Sequence, residues 1–291
     1  MAQLPGESTF VVDLLTTLRA EKYSLRAWWG FLKRSWQMSR RTAREHPRLA
    51  RSWAHVTFLN GGLTLATLML SFALEGLEAG WRLLPGFLFC VAWQQSDLYW
   101  HLGLNRRSSD EELLPTVGVA TALTGWRGLC ASYLLSRLLG GVSTPSTLAL
   151  GIFLLGVATD ILDGQFARHT RTQSKLGQVA DGEADFCLYL ALALILVQNG
   201  LLPLWLGLLL LLRFLLPLLT ALASYFILAR QVRFGSTVIG KWAGLAQCLY
   251  FLLLLSPPSL APFTHFLQFP LLIATIALLV LAPLAQIVAN L

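Results

Sequence analysis

Apolar and polar positions fall along this chain in long blocks, not at a short alternating period. From about residue 55 onward, runs of about twenty apolar residues follow one another, separated by Gly, Pro or charged clusters. A helix of that length crosses the hydrocarbon core of a bilayer, and no sustained two-residue period argues for strands. Two runs, roughly 55–74 and 80–100, form a candidate hairpin, the second interrupted by Gln94, Gln95 and Asp97. A charged, turn-rich stretch from Asn105 to Glu112 follows, which places a boundary near residue 108. Six further spans are expected at about 116–139, 146–168, 178–198, 201–229, 237–256 and 268–289. The pattern predicts an all-α polytopic membrane protein. Residues 1–108 carry a basic segment and the hairpin, and residues 109–291 carry a six-span unit.

The segment before the first run has a different texture. Leu25, Trp28, Trp29, Leu32 and Trp36 recur at helical spacing among Arg26, Lys33 and Arg34. Such a helix either lies in the membrane interface or packs against the other helices, and the sequence leaves both open.

Composition supports the membrane reading. The chain is 55% hydrophobic and 13% charged, against roughly 25% charged for an ordinary soluble domain. Its net charge is +7, and ten Lys and Arg residues lie from Arg19 to Arg51. A basic run can mean nucleic acid. Here it precedes apolar spans and is interleaved with Trp28, Trp29, Trp36 and Trp53, which points to anionic lipid head groups instead. The later loops sort by charge. Arg168, Arg171 and Lys175 follow the second of the six spans, and Arg230, Arg233 and Lys241 follow the fourth. The stretches Gly140–Pro145, Asn199–Pro203 and Ser256–Gln268 carry no Lys, Arg, Asp or Glu. Positive loops stay in the cytoplasm, so both ends of the six-span unit are expected there. Cys90, Cys130, Cys187 and Cys248 sit singly in apolar runs and suggest neither disulfide nor zinc. No short positive region followed by an apolar core and a cleavage site opens the chain, so a cleaved signal peptide is not expected.

The candidate chemistry lies where the second span ends and the third begins. Asp160 and Asp163 close one helix, and Asp181 and Asp185 open the next. At about 100° per residue the first pair lies about 60° apart and the second about 40° apart, so each pair shares a face. A short loop makes the two helices antiparallel neighbours, and the four carboxylates can converge. Together in a low-dielectric site they repel and need cations. An all-oxygen donor set suits Mg²⁺, Mn²⁺ or Ca²⁺ and lacks the nitrogen and sulfur ligands of zinc. Two divalent ions would neutralise the four charges and clamp the oxygens of a phosphoryl transfer. Gly164 and Ala167 lie beside this face and leave room for a ligand. Glu183 points about 160° from Asp185 and is not assigned to the metals. His169 is read as a solvated loop residue.

These residues also carry a resemblance. The pattern D-x2-D-G-x2-A-R-x8-G-x3-D-x3-D, filled by Asp160, Asp163, Gly164, Ala167, Arg168, Gly177, Asp181 and Asp185, resembles the signature of the CDP-alcohol phosphotransferases. Leu123-Thr124-x-x-Arg127 is similar to that family's N-[LI]-T-x-x-R with Ala122 in place of Asn. Gly240-Lys241 and Gln247 resemble a stretch of phosphatidylglycerophosphate synthases, with Ala243 and Gly244 where Lys and Thr stand. Phe186 takes a position that is Lys in many of those enzymes. The first 108 residues lie outside the resemblance.

The resemblance implies a six-helix core, a homodimer and two divalent ions, Mg²⁺ or Mn²⁺. It implies that Asp160, Asp163 and Asp181 are ligands, and that Asp185 is both ligand and general base. Gly164, Ala167 and Arg168 would contact the cytidine nucleotide. The implied reaction transfers a phosphatidyl group from CDP-diacylglycerol to a polar alcohol, with CMP leaving, at the cytoplasmic face of the cell membrane. Arg127 and Lys241 are candidates for an acceptor phosphate, and mid-span Arg213 is either that or a structural ion pair. Arg230 and Arg233 are read as topology-setting charges. Two other readings compete: transfer from a soluble CDP-amino alcohol to diacylglycerol, and, from another class, a divalent-cation transporter or an inactive scaffold. A transporter is disfavoured because the aspartates cluster at one face only.

Overall fold

The structure, a computed structural model, describes residues 15–223 and 238–290. After a helical turn at residues 15–20, the chain forms α1 (Leu25–Glu45), α2 (Pro47–Glu75), α3 (Leu77–Trp100), α4 (Val119–Leu139), α5 (Ser146–His169), α6 (Lys175–Gln198), α7 (Leu204–Ala223), α8 (Val238–Leu255) and α9 (Ala261–Asn290). Two short 3-10 turns, Leu102–Leu104 and Pro258–Leu260, complete it. Among the described residues the only β pairing is two isolated bridges, Arg106 with Leu113 and Arg107 with Ser174.

The breaks come where backbone chemistry requires them. Pro47 opens α2 at a position where a missing N–H costs nothing. Gly76, at φ 90°, separates α2 from α3, a conformation that disfavours any residue with a Cβ. Ser24 caps α1 by accepting from the Ala27 N–H, and Ser174 caps α6 by accepting from the Gly177 N–H at 3.0 Å.

Apolar surface is distributed as a lipid environment would have it. Phe58, Leu74, Trp81, Phe89, Phe263 and Phe266 all face outward, and a soluble monomer does not leave so much large apolar surface in contact with water. Among the described residues three helices are long and apolar enough to cross a membrane by length and composition, Pro47–Glu75, Ser146–His169 and Val238–Leu255, fewer than the hairpin and six spans expected from the apolar runs. The inward faces are also apolar, with Phe153, Leu188, Leu192 and Phe251 forming the centre of the largest cluster.

Helix α4 is the hub. More than half of its 21 residues are buried, and it packs closely on α3, α5 and α6. By contrast α5 and α6 barely touch each other. The short loop does make them sequential, but α4 supplies the surface on which both lie. At the far end of α4, Arg137 is buried and donates to Glu75 (2.6 Å), to the Tyr133 hydroxyl (3.0 Å), to Thr144 and to the Ser143 carbonyl. This ties α2 to α4 and to the turn that leads into α5.

The N-terminal hairpin seats on α4 through small residues. A Cβ at Gly86 of α3 would lie 3.3 Å from the Ser136 Cα, and one at Gly140 would lie 2.6 Å from the Arg82 carbonyl oxygen. We therefore expect Gly140→Ala to push α3 away from α4 and to cost about 1–3 kcal/mol of stability. Gly61, with open space around its Cβ position, serves as the control: Gly61→Ala should leave the thermal unfolding midpoint in detergent unchanged or raised.

Candidate metal and phosphoryl-transfer site

Asp160 and Asp163 lie in the second half of α5, and Asp181 and Asp185 in the first half of α6. Carboxylate oxygens of Asp160, Asp163 and Asp181 all fall within 4.8 Å of one another, a spacing that could hold a metal ion. The convergence expected from helix periodicity is therefore present.

What gathers the carboxylates is Arg127 of α4. Its side chain is 1% exposed, and its guanidinium makes ion pairs with all four aspartates: with Asp160 and Asp181 at very close range, and with Asp163 and Asp185 at 3.1 Å each. Two features of α4 and α5 shape its surroundings. Gly156 of α5 leaves room for the Leu188 side chain of α6, which a Cβ there would meet at 2.5 Å, while the Arg127 Cγ passes at an ordinary contact distance of 3.8 Å. Thr124, one turn before Arg127, donates to the Asp163 carboxylate at 2.7 Å and fixes the most buried of the four.

The cluster is graded from floor to mouth. The Asp163 side chain is 8% exposed, that of Asp185 31%, and those of Asp181 and Asp160 about half. One end of the site therefore opens outward, as an incoming ligand needs. With all four carboxylates ionised, one guanidinium leaves three charges uncompensated. At about 4 Å and an effective dielectric near 20, each like pair costs about 4 kcal/mol. The donor set is all oxygen and hard, so divalent cations of the Mg²⁺ or Mn²⁺ kind fit it. The Arg127 Nε is buried and unpaired in the structure.

The remaining motif residues take defined places. The Arg168 guanidinium lies over Gly164, 3.2 Å from where a Cβ would be, so these two nucleotide candidates share one surface, with Ala167 beside them. Gly177 allows close approach of two hydroxyls: a Cβ there would lie 3.3 Å from the Ser174 Oγ and 3.6 Å from the Thr121 Oγ1. Phe186 packs edge-on against Phe214 of α7 at 5.9 Å. Ala122 packs into an apolar cluster with Leu49, Val56, Leu98 and Leu102 of the N-terminal segment, where an Asn side chain would lack water. Lys241 is exposed on α8, and no contact links it to the aspartates among the described residues. The Arg213 side chain, Arg230 and Arg233 lie outside the described residues.

Sequence reasoning set Glu183 apart from the metal face without finding its partners. It lies against Asp97 and His101 of the hairpin, and the His101 Nδ1 is 3.1 Å from the Asp97 carboxylate. The i,i+4 spacing of Asp97 and His101 was the available signal. Nearby, the backbone of 106–108 bonds to that of 173–175, and Lys175 donates to Glu111 at 2.7 Å. That hydrogen bond holds the Glu111 carboxyl below the usual carboxylate range.

A family model described as CDP-alcohol phosphatidyltransferase matches residues 117–282, more than half of the chain. No curated protein and no solved structure matches the chain. The chain belongs to the CDP-alcohol phosphatidyltransferase family and is a phosphotransferase.

If Arg127 is the counter-ion that lets four carboxylates share one volume, its loss should make folding depend on metal. Arg127→Met should lose about 3–5 kcal/mol without divalent ions. Millimolar Mn²⁺ should then raise its unfolding midpoint by more than it raises that of the unaltered protein, as read by a thermal shift assay in detergent.

Proposed function

We propose that this member of the family transfers the phosphatidyl group of CDP-diacylglycerol to the hydroxyl of a polar alcohol or alcohol phosphate and releases CMP. The observation that carries the reading is the convergence of four carboxylates at one open end of a helical membrane bundle, in a chain whose motif fills all eight defined positions. The acceptor oxygen bonds to the phosphorus that carries the diacylglycerol. The bond from that phosphorus to the bridging oxygen breaks, and CMP departs with the oxygen.

Asp160, Asp163 and Asp181 would hold two divalent cations, with Asp185 completing the set. Such ions, when bound, supply the charge that the pyrophosphate and the developing phosphoryl oxygens need. Asp185 would also take the acceptor hydroxyl's proton, the role the family resemblance implies for it, and its carboxylate is part-exposed. Gly164, Ala167 and Arg168 form the surface for the cytidine nucleotide. Arg127, buried and paired with all four aspartates, holds the carboxylates in register and is not free to meet an acceptor phosphate, which leaves Lys241 and Arg213 as the candidate partners for it. Phe186 and the Phe214 ring behind it leave an apolar wall where many relatives of the glycerol-phosphate type carry Lys, which argues for an acceptor that needs no cation at that point.

The same reading covers the architecture. Six spans form a catalytic unit over 109–291, and a hairpin with a basic segment precedes it over 1–108. The positive loops support a site at the cytoplasmic face of the cell membrane, and a homodimer is the working form the family resemblance implies.

Purified protein given CDP-diacylglycerol, Mg²⁺ and a panel of alcohols should release CMP with one acceptor class, and mass spectrometry of the lipid product identifies that class. Asp181→Asn and Asp185→Asn should each lower the rate by at least about 10²-fold. Chelation should abolish the rate, and Mg²⁺ or Mn²⁺ should restore it. Activity retained in both variants would overturn the site assignment. Release of CMP only from a soluble CDP-amino alcohol with diacylglycerol would overturn the donor.

A further inference from the structure

Helix α1 presents its largest apolar side chains outward and a basic row beside them. At about 100° per residue, Leu25, Trp29, Leu32 and Trp36 fall within an arc of about 60°. Arg26, Lys33, Arg40 and Arg44 fall within about 40° of one another, centred about 70° round from the first arc. The structure does not bury the apolar arc. Leu25 is 90% exposed, Trp29 70% and Leu32 40%, and the four basic residues are exposed as well. Intramolecular cover falls on a different face, where Ala27 is buried and lines, with Phe31 and the buried Leu18 of the preceding turn, one small cavity.

The helix is nevertheless held in place. Trp36 packs tilted against Tyr99 and edge-on against Trp100, at 5.4 and 5.5 Å between ring centres. The Trp100 Nε1 donates to the Ser35 Oγ at 2.8 Å, and the Ser39 hydroxyl donates to the Trp100 carbonyl. Only His46 separates α1 from α2, a helix long and apolar enough to cross a membrane. A helix fixed at the end of such a span lies at the level where head groups meet acyl chains. Indole rings favour that level, and a basic row there meets lipid phosphates.

We propose that α1 is a docking surface for anionic phospholipid in the bilayer that holds the chain. Leu25, Trp29 and Leu32 enter the acyl boundary, while Arg26, Lys33, Arg40 and Arg44 bind the phosphates. The occupant is a lipid surface and not nucleic acid or a second copy, because the apolar arc lies beside the basic row over the first three turns of the helix, from Leu25 to Trp36. Such a pattern matches a boundary between oil and anions. A polyanion in water would leave Leu25 and Trp29 exposed, and an apolar contact between copies would bring the basic rows together.

The test is independent of enzymatic activity, so its failure would not be a failure of the reaction proposed above. The full chain, with p-benzoylphenylalanine in place of Trp29, is reconstituted into phosphatidylcholine vesicles containing about one quarter phosphatidylglycerol and irradiated. Mass spectrometry should find phospholipid adducts at position 29, with phosphatidylglycerol enriched at least about twofold over its share of the vesicle. Combining Arg26→Glu, Lys33→Glu and Arg40→Glu should remove that enrichment. The same probe at Phe58, 84% exposed on α2, should give lipid adducts with no preference for phosphatidylglycerol. Absence of lipid adducts at position 29, cross-linked dimers in their place, or adducts that merely follow the vesicle composition would each overturn the proposal.

Discussion

Four carboxylates can share a few ångströms of a membrane protein only if something positive stands among them. In this chain that group is the Arg127 guanidinium, paired with Asp160, Asp163, Asp181 and Asp185 at once. The pairing organises the bundle. It requires α4 to lie against both α5 and α6, and it accounts for the burial of a charged side chain to 1% exposure. A buried guanidinium with several carboxylate partners is far less costly than one with none. It also leaves net negative charge at an open mouth, which favours a divalent cation when one is present.

The N-terminal hairpin bears on the same helix. Gln94 of α3 donates to the Gly125 carbonyl at 3.1 Å, and its amide occupies the space a Cβ at Gly128 would need. Asn60 of α2 lies fully buried against Gly125. These two glycines flank Arg127, so the back of the turn that presents the guanidinium is packed by the hairpin. Ala122 belongs to the same arrangement. The hairpin covers its methyl group with Leu49, Val56, Leu98 and Leu102. At Glu183 the hairpin also reaches α6, between two of the aspartates. The added segment is thus packed against the structural support of the site, although it lies outside the matched family region.

Much of this was legible along the chain because it follows from local periodicity. The apolar runs located several helices closely, as 146–168 is the helix Ser146–His169 and 80–100 the helix Leu77–Trp100, but two helices begin well before their runs, at Pro47 and Ala261. The i,i+3 spacing of Asp160 and Asp163 and the i,i+4 spacing of Asp181 and Asp185 put each pair on one face, which is a property of helix geometry alone. Arg127 was visible as a candidate cation, but its partners were not. Nothing in its own neighbourhood says which helix it will face across the bundle.

The amino-acid sequence by itself determined the helical membrane character, the chemistry of the donor set and the family pattern, because apolar length, residue type and spacing are local quantities. Tertiary structure alone decided that α4 stands between the two aspartate helices and that one arginine serves four carboxylates. It also decided that Glu183 faces the hairpin's Asp97 and His101, and that the apolar arc of α1 is left outward. These are outcomes of packing between segments far apart in the chain. They depend on which small residues, such as Gly86, Gly128, Gly140 and Gly156, allow two helices to approach.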